Sequence, residues 1–509
     1  MRTSHSNSIK FRFGFYRGLT PVKFDTFDVP MAESQEYVGA AGTNYFETDL
    51  LVRELVGAAL PDERRDAALA ELSAFGRECG ETLAPLIETS HRDENRPRLL
   101  QFDRWGNRID KIAYCAEQVE ARRRAMGGGL LPPVPLVERM TKAYLLNQNG
   151  EGGITCPLAM TDGLVQLLDW KGTEAQKARY LPLLNDASVD TPLTAGQMVT
   201  ERQGGSNVGE NETRAVKQDD GSWRLTGLKW FCSNPGELWV TTAKPEGSDL
   251  VGLFLMPRRL PDGSLNACRI LNLKDLSATW GKATAEIEFE GAYAEAIGRP
   301  SHGMALLLGT VLRTSRIHVA AASLGFGRRA LVEAELWCAQ RRVLGKPIAE
   351  LPHVAATLQR MRTRQKGATL AVYRMLAAVD AGDPSADSLV PLLKIGVSRD
   401  GSEQVRDARL LFAGNAVLRD FSILPRLAED AITQEIWEGT HPIIAGHALK
   451  ALRRERSREA FLSMLPDASA NLLSERLGMY DESEAVSVCE HAYDSLKDAL
   501  MLSRESVPV

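Results

Sequence analysis

Cysteine is sparse and scattered in this chain. Seven residues (Cys79, Cys115, Cys156, Cys232, Cys268, Cys338 and Cys489) are spread over 509 positions with no Cys-x-x-Cys pair. An odd, unpaired count in a long chain argues against a disulfide framework and for reduced thiols in a reducing compartment. His302, His318, His353, His441 and His447 stand at no metal-ligand spacing from cysteines or carboxylates, so no metal site is expected. No apolar run reaches the length that crosses a bilayer, and no membrane partner is expected. An excess of positive charge is missing too. The net charge is −5 and the pI is near 6.0, which excludes a global attraction to nucleic acid or anionic lipid and leaves only a local patch for either. There is no internal repeat of fixed period.

What is present is ordinary globular material, 44% hydrophobic and 25% charged, long enough for roughly two to four domains. Residues 1–40 are read as a disordered leader. Their first 24 positions are basic and free of acids, which fits an over-extended start with Met31 as the true beginning, or an organellar transit peptide. Without a transit peptide, a cytoplasmic location is expected.

Residues 41–190 read as helical. "TDLLVRELVGAAL" and "PDERRDAALAELSAFGREC" carry apolar residues at three- and four-residue spacing, with acids near their starts. "GGGLLPPVP", from 127, lacks the preceding strand and following Lys-Ser/Thr of a phosphate loop and is read as a turn. From 191 to 298 the runs become short, aromatic and β-branched, and "EIEFEG" alternates as a half-buried strand does. This predicts a central β-barrel or sandwich. Four long helical patterns over 299–455 predict a C-terminal four-helix bundle. Residues 456–509 form an acidic helical appendage, with nine acids against three bases from 461 onward. The expected fold is therefore mainly α and multi-domain, in the order helices, β domain, bundle.

Several short stretches could carry chemistry. "TERQGGSNV" (200–208) offers hydroxyls on Thr200 and Ser206 beside two glycines that let a backbone approach closely. Its bland alternative is a tight turn between strands, and it lacks the spacing of a dinucleotide fingerprint. "LKWFCSNP" (228–235) sets aromatics beside Ser233, as a flat hydrogen-bonding ring would need, although such aromatics are more often core. "QRRVLGKPI" (340–348) ends a long helix with two arginines, which stabilise a helix C-terminus by themselves. In "IWEGTHP" (436–442) Glu438 is either a catalyst or a solvated acid where Thr440 and Pro442 open a helix.

In this order, and on this domain plan, the stretches resemble the acyl-CoA dehydrogenase family of flavoproteins over about 145–455. "LLFAGN" is similar to a further family motif, and "GGITCPLAMT" (152–161), "MVTERQGGSNV" and "EIWEGT" are most similar to the AidB-like, alkylation-response branch. The resemblance implies FAD as cofactor, contacted by Gln197, Thr200, Gly205, Ser206, Phe231, Cys232, Ser233, Trp437, Gly439, Thr440 and Pro442. Phe231 would stack on the ring and Ser233 would bond near N5. Arg341 would reach the FAD pyrophosphate of a neighbouring subunit, which implies a homo-oligomer, a tetramer or dimer. Glu438 falls on the general base, and Ser206 and Arg316 on substrate positions. Where some members carry the base before the matched arginine, this chain has Ser315. Departures are Leu344 for a Phe, Leu410 for a Gln, Glu429 for an Arg, and Pro442 after the base loop.

The implied activity is α,β-dehydrogenation of an acyl-CoA or related thioester, with electrons passed to an electron-transfer flavoprotein. A DNA-associated flavoprotein of the alkylation response is the alternative, carried by the branch similarity and the basic run "KALRRERSR" (450–458), against the negative charge and the acidic C-terminal segment. A flavin monooxygenase on the same scaffold is the third reading.

Overall fold

A computed structural model describes residues 37, 39–150, 152–184 and 193–505. The basic leader, Met31 and the helix-to-β junction at 190–191 lie outside them.

The N-terminal region opens with α1 (Leu50–Ala59), started by Asp49, whose carboxylate accepts from the Val52 amide at 3.2 Å. α2 (Asp62–Arg77) has two acids in its first turn and passes through a π turn into α3 (Ala84–Ser90). A hairpin, β1 (Arg98–Phe102) and β2 (Arg108–Ala113), interrupts what reads as helical sequence. A two-stranded hairpin is marginal alone; this one docks on the central domain, where Asp110 accepts from the Ile270 amide at 2.9 Å. α4 (Ala116–Gly127), α5 (Leu136–Asn147), α6 (Gly152–Lys171) and α7 (Glu174–Leu184) follow, and the Gly/Pro stretch between α4 and α5 is a turn, as expected.

The β domain consists of β3 (Ala195–Met198), β4 (Arg214–Lys217), β5 (Trp223–Ser233), β6 (Leu238–Pro245), β7 (Gly252–Pro257), β8 (Cys268–Leu273) and β9 (Thr284–Ala296). β3 and β4 lie end to end between β5 and β6, antiparallel to the first and parallel to the second. β6 pairs with β7, β7 with β9 and β9 with β5, so the ladder closes on itself, with β8 outside β9. Of the two predicted forms it is the barrel. Met198, Leu225, Cys232, Trp239, Phe254, Ile287 and Phe289 fill the interior.

The C-terminal region begins with α8 (Gly303–Leu306) and a π turn leading into α9 (Leu312–Gln340). Every residue from Thr314 to Gly327 is buried, which explains why α9 shows no clean amphipathic stripe. It is the hub onto which α5, α6, α10 (Pro352–Asp380) and α11 (Ala386–Phe412) pack. A tight antiparallel turn joins β10 (Arg342–Val343) to β11 (Lys346–Pro347) beyond its end. α12 (Leu424–Ile436) and α13 (His441–Leu452) bracket the "WEGT" loop. α14 (Glu455–Leu462), α15 (Asp467–Met479) and α16 (Ala485–Glu505) are helical, as expected. α16 nevertheless joins the bundle core: Val488, Cys489, Ala492, Tyr493 and Leu496 are buried against α10, α11 and α13. Two of its acids, Glu490 and Asp494, pair with Arg399 of α11.

Candidate active site

The site is built where α9, α11 and the loop between α12 and α13 converge with the end of β5. Thr440 stands at the N-cap position of α13 and Pro442 in its first turn, so the helix start expected from sequence is there; the Thr440 hydroxyl makes no capping bond and is exposed. Glu438 precedes it with φ +57, and Gly439 with φ +108. A side chain in this left-handed region costs about 1–2 kcal/mol and persists only where neighbours over-determine it. Those neighbours are present. Lys394, fully buried on α11, donates to the carbonyls of Glu435 at 2.9 Å and Gly439 at 2.6 Å, while Arg316 of α9 donates to the Glu438 carbonyl at 3.3 Å. Glycine is required at 439, because a Cβ there would also meet Ile444 Cδ1 at 2.6 Å.

Burial raises the Glu438 carboxyl above its ordinary range, opposed first by Arg316, then by a hydrogen bond from Ser315, then by Lys394 and Lys282. Ser315 in turn accepts from Gln197 at 3.3 Å, so a chain of side chains runs from β3 to the carboxylate. Burial also pulls Lys394 down to about 7 and, with Lys394 and Arg399 beside it, His441 down to about 4. Glu438 opens on a narrow cleft with about 20 Å³ of free space, walled by Cys156, Ala159 and Met160 of α6, Ser315, His318 and Val319 of α9, and Trp437.

The end of β5 lies against this cleft. Gln197 pairs in register with Ser233. Lys282 donates to Ser233 Oγ at 3.1 Å, reaches Cys156 Sγ at 3.9 Å and lies 5.1 Å from the Trp437 ring centre. One ammonium therefore ties the strand end, α6 and the Glu438 loop together. Phe231 is 45% exposed, whereas Cys232 points into the barrel with no exposure, so of Cys232 only the backbone is available to a ligand. The 200–208 loop hangs on a buried ion pair inside the barrel. Lys229 donates to Glu201 at 2.7 Å, and Glu201 also accepts from the Thr213 hydroxyl at 2.6 Å and the Glu212 amide at 2.6 Å. Although burial alone would raise Glu201, Lys229 and these bonds hold it low. A Cβ on Gly205 would meet Thr200 Oγ1 at 2.7 Å, which keeps that position a glycine, and Ser206 is exposed.

These features fit FAD in their chemistry: an uncovered aromatic ring, a hydroxyl held by a cation, and a glycine loop with free hydroxyls. Arg341 does not join them. It lies just beyond α9, roughly 35 Å along the helix from Arg316, and is exposed. On the other face of α9 a cleft of about 330 Å³ carries Arg313, Arg316, His447, Lys450 and Arg454 against a single acid, Asp387.

Sequence reading missed Lys282, Lys394, Lys229 and Glu201. A lone lysine in the apolar run "PLLKIG" was the available signal for Lys394; the others carry none.

Known proteins resemble this chain in the same order. Residues 38–191 match the adaptive response protein AidB N-terminal domain, 196–292 the acyl-CoA dehydrogenase middle domain and 301–452 the acyl-CoA dehydrogenase C-terminal domain. Acyl-CoA dehydrogenase family member 11 of Caenorhabditis elegans is 29% identical, over 91% of this chain and 79% of its own. The AidB protein of Escherichia coli strain K12 is 30% identical, over 75% and 74%. The structure of C. elegans ACDH-11 in complex with C11-CoA superposes with a TM-score of 0.85 at 26% identity, covering 93% of this chain and 90% of that one. The chain belongs to the acyl-CoA dehydrogenase family, FAD-binding oxidoreductases that act on CH–CH groups, and carries an N-terminal domain of the AidB type.

Proposed function

We propose that this protein oxidises the acyl group of a CoA-type thioester to its α,β-unsaturated form, with Glu438 as the general base. The observation that carries the reading is Glu438 itself, a carboxylate of raised pKa pinned in a left-handed conformation at the mouth of a cleft. It takes the α-proton; the β-hydrogen leaves with its electron pair, and the double bond forms between the two carbons. FAD, when bound, supplies the acceptor for that hydride. Thr200, Gly205 and Ser206 would hold the cofactor, with Phe231 against the ring and Ser233 bonding it. Trp437, Gly439, Thr440 and Pro442 would meet it from the base loop. Gln197 and the Cys232 backbone complete its surroundings, and Lys282 keeps the Ser233 hydroxyl oriented. The cationic cleft around Arg313 and Arg316 suits the phosphates of the thioester carrier, with Ser206 a further substrate contact. The relative seen with C11-CoA supports a CoA thioester. An electron-transfer flavoprotein then takes the electrons.

Arg341 lies too far from Glu438 to serve the same cofactor, so the reading includes a homo-oligomer in which it reaches a neighbour's FAD. Leu344, Leu410, Val417 and Ile432, all more than half exposed, offer apolar surface for that contact. The basic run at 450–458 speaks less for DNA, since Lys450 and Arg454 line the cleft and Arg453 is bound to Tyr480.

The test is anaerobic mixing with a panel of acyl-CoA thioesters. At least one should bleach the flavin, and Glu438→Gln should slow bleaching by about 10²–10⁴-fold while retaining FAD. A flavin that no thioester reduces sinks the proposal. A salt-dependent mobility shift with duplex DNA in its place would restore the DNA reading.

A further inference from the structure

Two buried polar atoms on residues that line the Glu438 cleft have no hydrogen-bond partner among the described residues. Asn147, at the end of α5, is 2% exposed, and Gln434, on the last turn of α12, is 0% exposed. Asn147 Nδ2 donates to the Ala143 carbonyl at 2.7 Å, leaving Oδ1 unpaired. Gln434 Oε1 accepts from Trp437 Nε1 at 2.8 Å, leaving Nε2 unpaired. Both amides are thereby fixed in orientation, because exchanging oxygen and nitrogen would set donor against donor or acceptor against acceptor. Both residues line the cleft beside Glu438.

Three other polar side chains that line the cleft have partners of their own. Ser315 Oγ accepts from Gln197, His318 Nε2 faces Asp162 Oδ2 at 2.8 Å, and Cys156 Sγ accepts from Lys282. Ala159, Met160, Val319 and Ala322 give apolar wall between them. An unbranched hydrocarbon chain would satisfy this wall and strand both amide atoms, and buried groups are seldom left unpaired.

We infer that the acyl group this enzyme takes carries an uncharged hydrogen-bonding substituent, a hydroxyl or carboxamide, held between Asn147 Oδ1 and Gln434 Nε2. A hydroxyl donates to the first and accepts from the second; a carboxamide does the same with two atoms. A carboxylate has no proton for Asn147, and an ammonium has no lone pair for Gln434. Gln434 also holds Trp437, the neighbour of Glu438, so the substituent would sit in the cleft that the base lines.

The inference rests on the thioester reading above, and its test separates the two. Thioesters of one chain length, unsubstituted or bearing a hydroxyl or carboxamide at successive carbons, are compared for kcat/KM of flavin reduction. One substituted position should exceed the plain chain by about ten- to a hundredfold. Gln434→Glu, which keeps the acceptor for Trp437 and removes the donor, and Asn147→Leu should each abolish that preference, mainly through KM. Equal or faster reduction by the plain chain overturns the inference and leaves the dehydrogenase reading standing; it means that water alone pairs the two amides. Failure of every thioester overturns both. The wild-type comparison decides the matter even where a variant does not fold.

Discussion

At the scale of single residues, the site is a carboxylate under tension between burial and cations. Because burial raises Glu438, its working, ionised form is lost as pH falls through that raised value. The acid limb of kcat/KM should therefore lie above the usual glutamate range, and Glu438→Gln should remove it. Lys394 is one of the cations that lower Glu438. Its charge is present below about pH 7, so Lys394→Met should move the acid limb upward and cut kcat by about tenfold or more through loss of the two loop carbonyl bonds. An unmoved limb would deny the lysine its electrostatic part. His441 gives a stability readout. Its folded pKa of about 4 lies below the unfolded value of 6.5, so its contribution is complete above 6.5 and is lost as pH falls through 4. The unfolded chain takes up the proton first. Between those values urea denaturation should show a slope of up to about 1.4 kcal/mol per pH unit from this group, flattened in His441→Asn.

At the scale of elements, the long-range ties matter more than the local patterns. The 200–208 loop reads as a possible strand turn, and it is attached to the barrel by Glu201 and the wholly buried Lys229. Lys229→Met would leave the buried Glu201 charge without its cation, held only by Thr213 and the Glu212 amide, a change worth about 3–5 kcal/mol. The expected result is a lowered denaturation midpoint together with loss of bound FAD. α16 has the same standing. Tyr493 is fully buried, donates to Asp400 at 2.9 Å and packs on Gly396, where a Cβ would strike its ring. Tyr493→Ala should cost about 3–5 kcal/mol in denaturant titration; a loss below about 1 kcal/mol would make the C-terminal segment a mere appendage. The β1–β2 hairpin was illegible in the sequence for a related reason: its strands are short, and what holds them is contact with β8, some 160 residues away.

At the scale of the whole molecule, net charge and local field point in opposite directions. The chain is negative overall, and the cleft around Arg313, Arg316, Lys450 and Arg454 is positive. Salt screens such a cleft, so KM for a CoA thioester should rise severalfold from low to high ionic strength while kcat holds. An unchanged KM would place the carrier elsewhere.

The order of domains, the helix start after Thr440 and the candidacy of Glu438 were all determined by the sequence alone. Each depends on periodicity, capping or a contiguous motif, signals confined to a few neighbouring residues. Only the tertiary structure decided that the β domain is a closed barrel, that Cys232 faces its interior, and that Lys282 and Lys394 converge on the Glu438 loop. It also decided that Asn147 and Gln434 line the same cleft, one with an acceptor and one with a donor that has no partner among the described residues. These pairings join residues far apart in the chain, Asn147 and Gln434 most of all. A buried polar group reveals its role only through the partner it finds, or lacks, once the chain has closed around it.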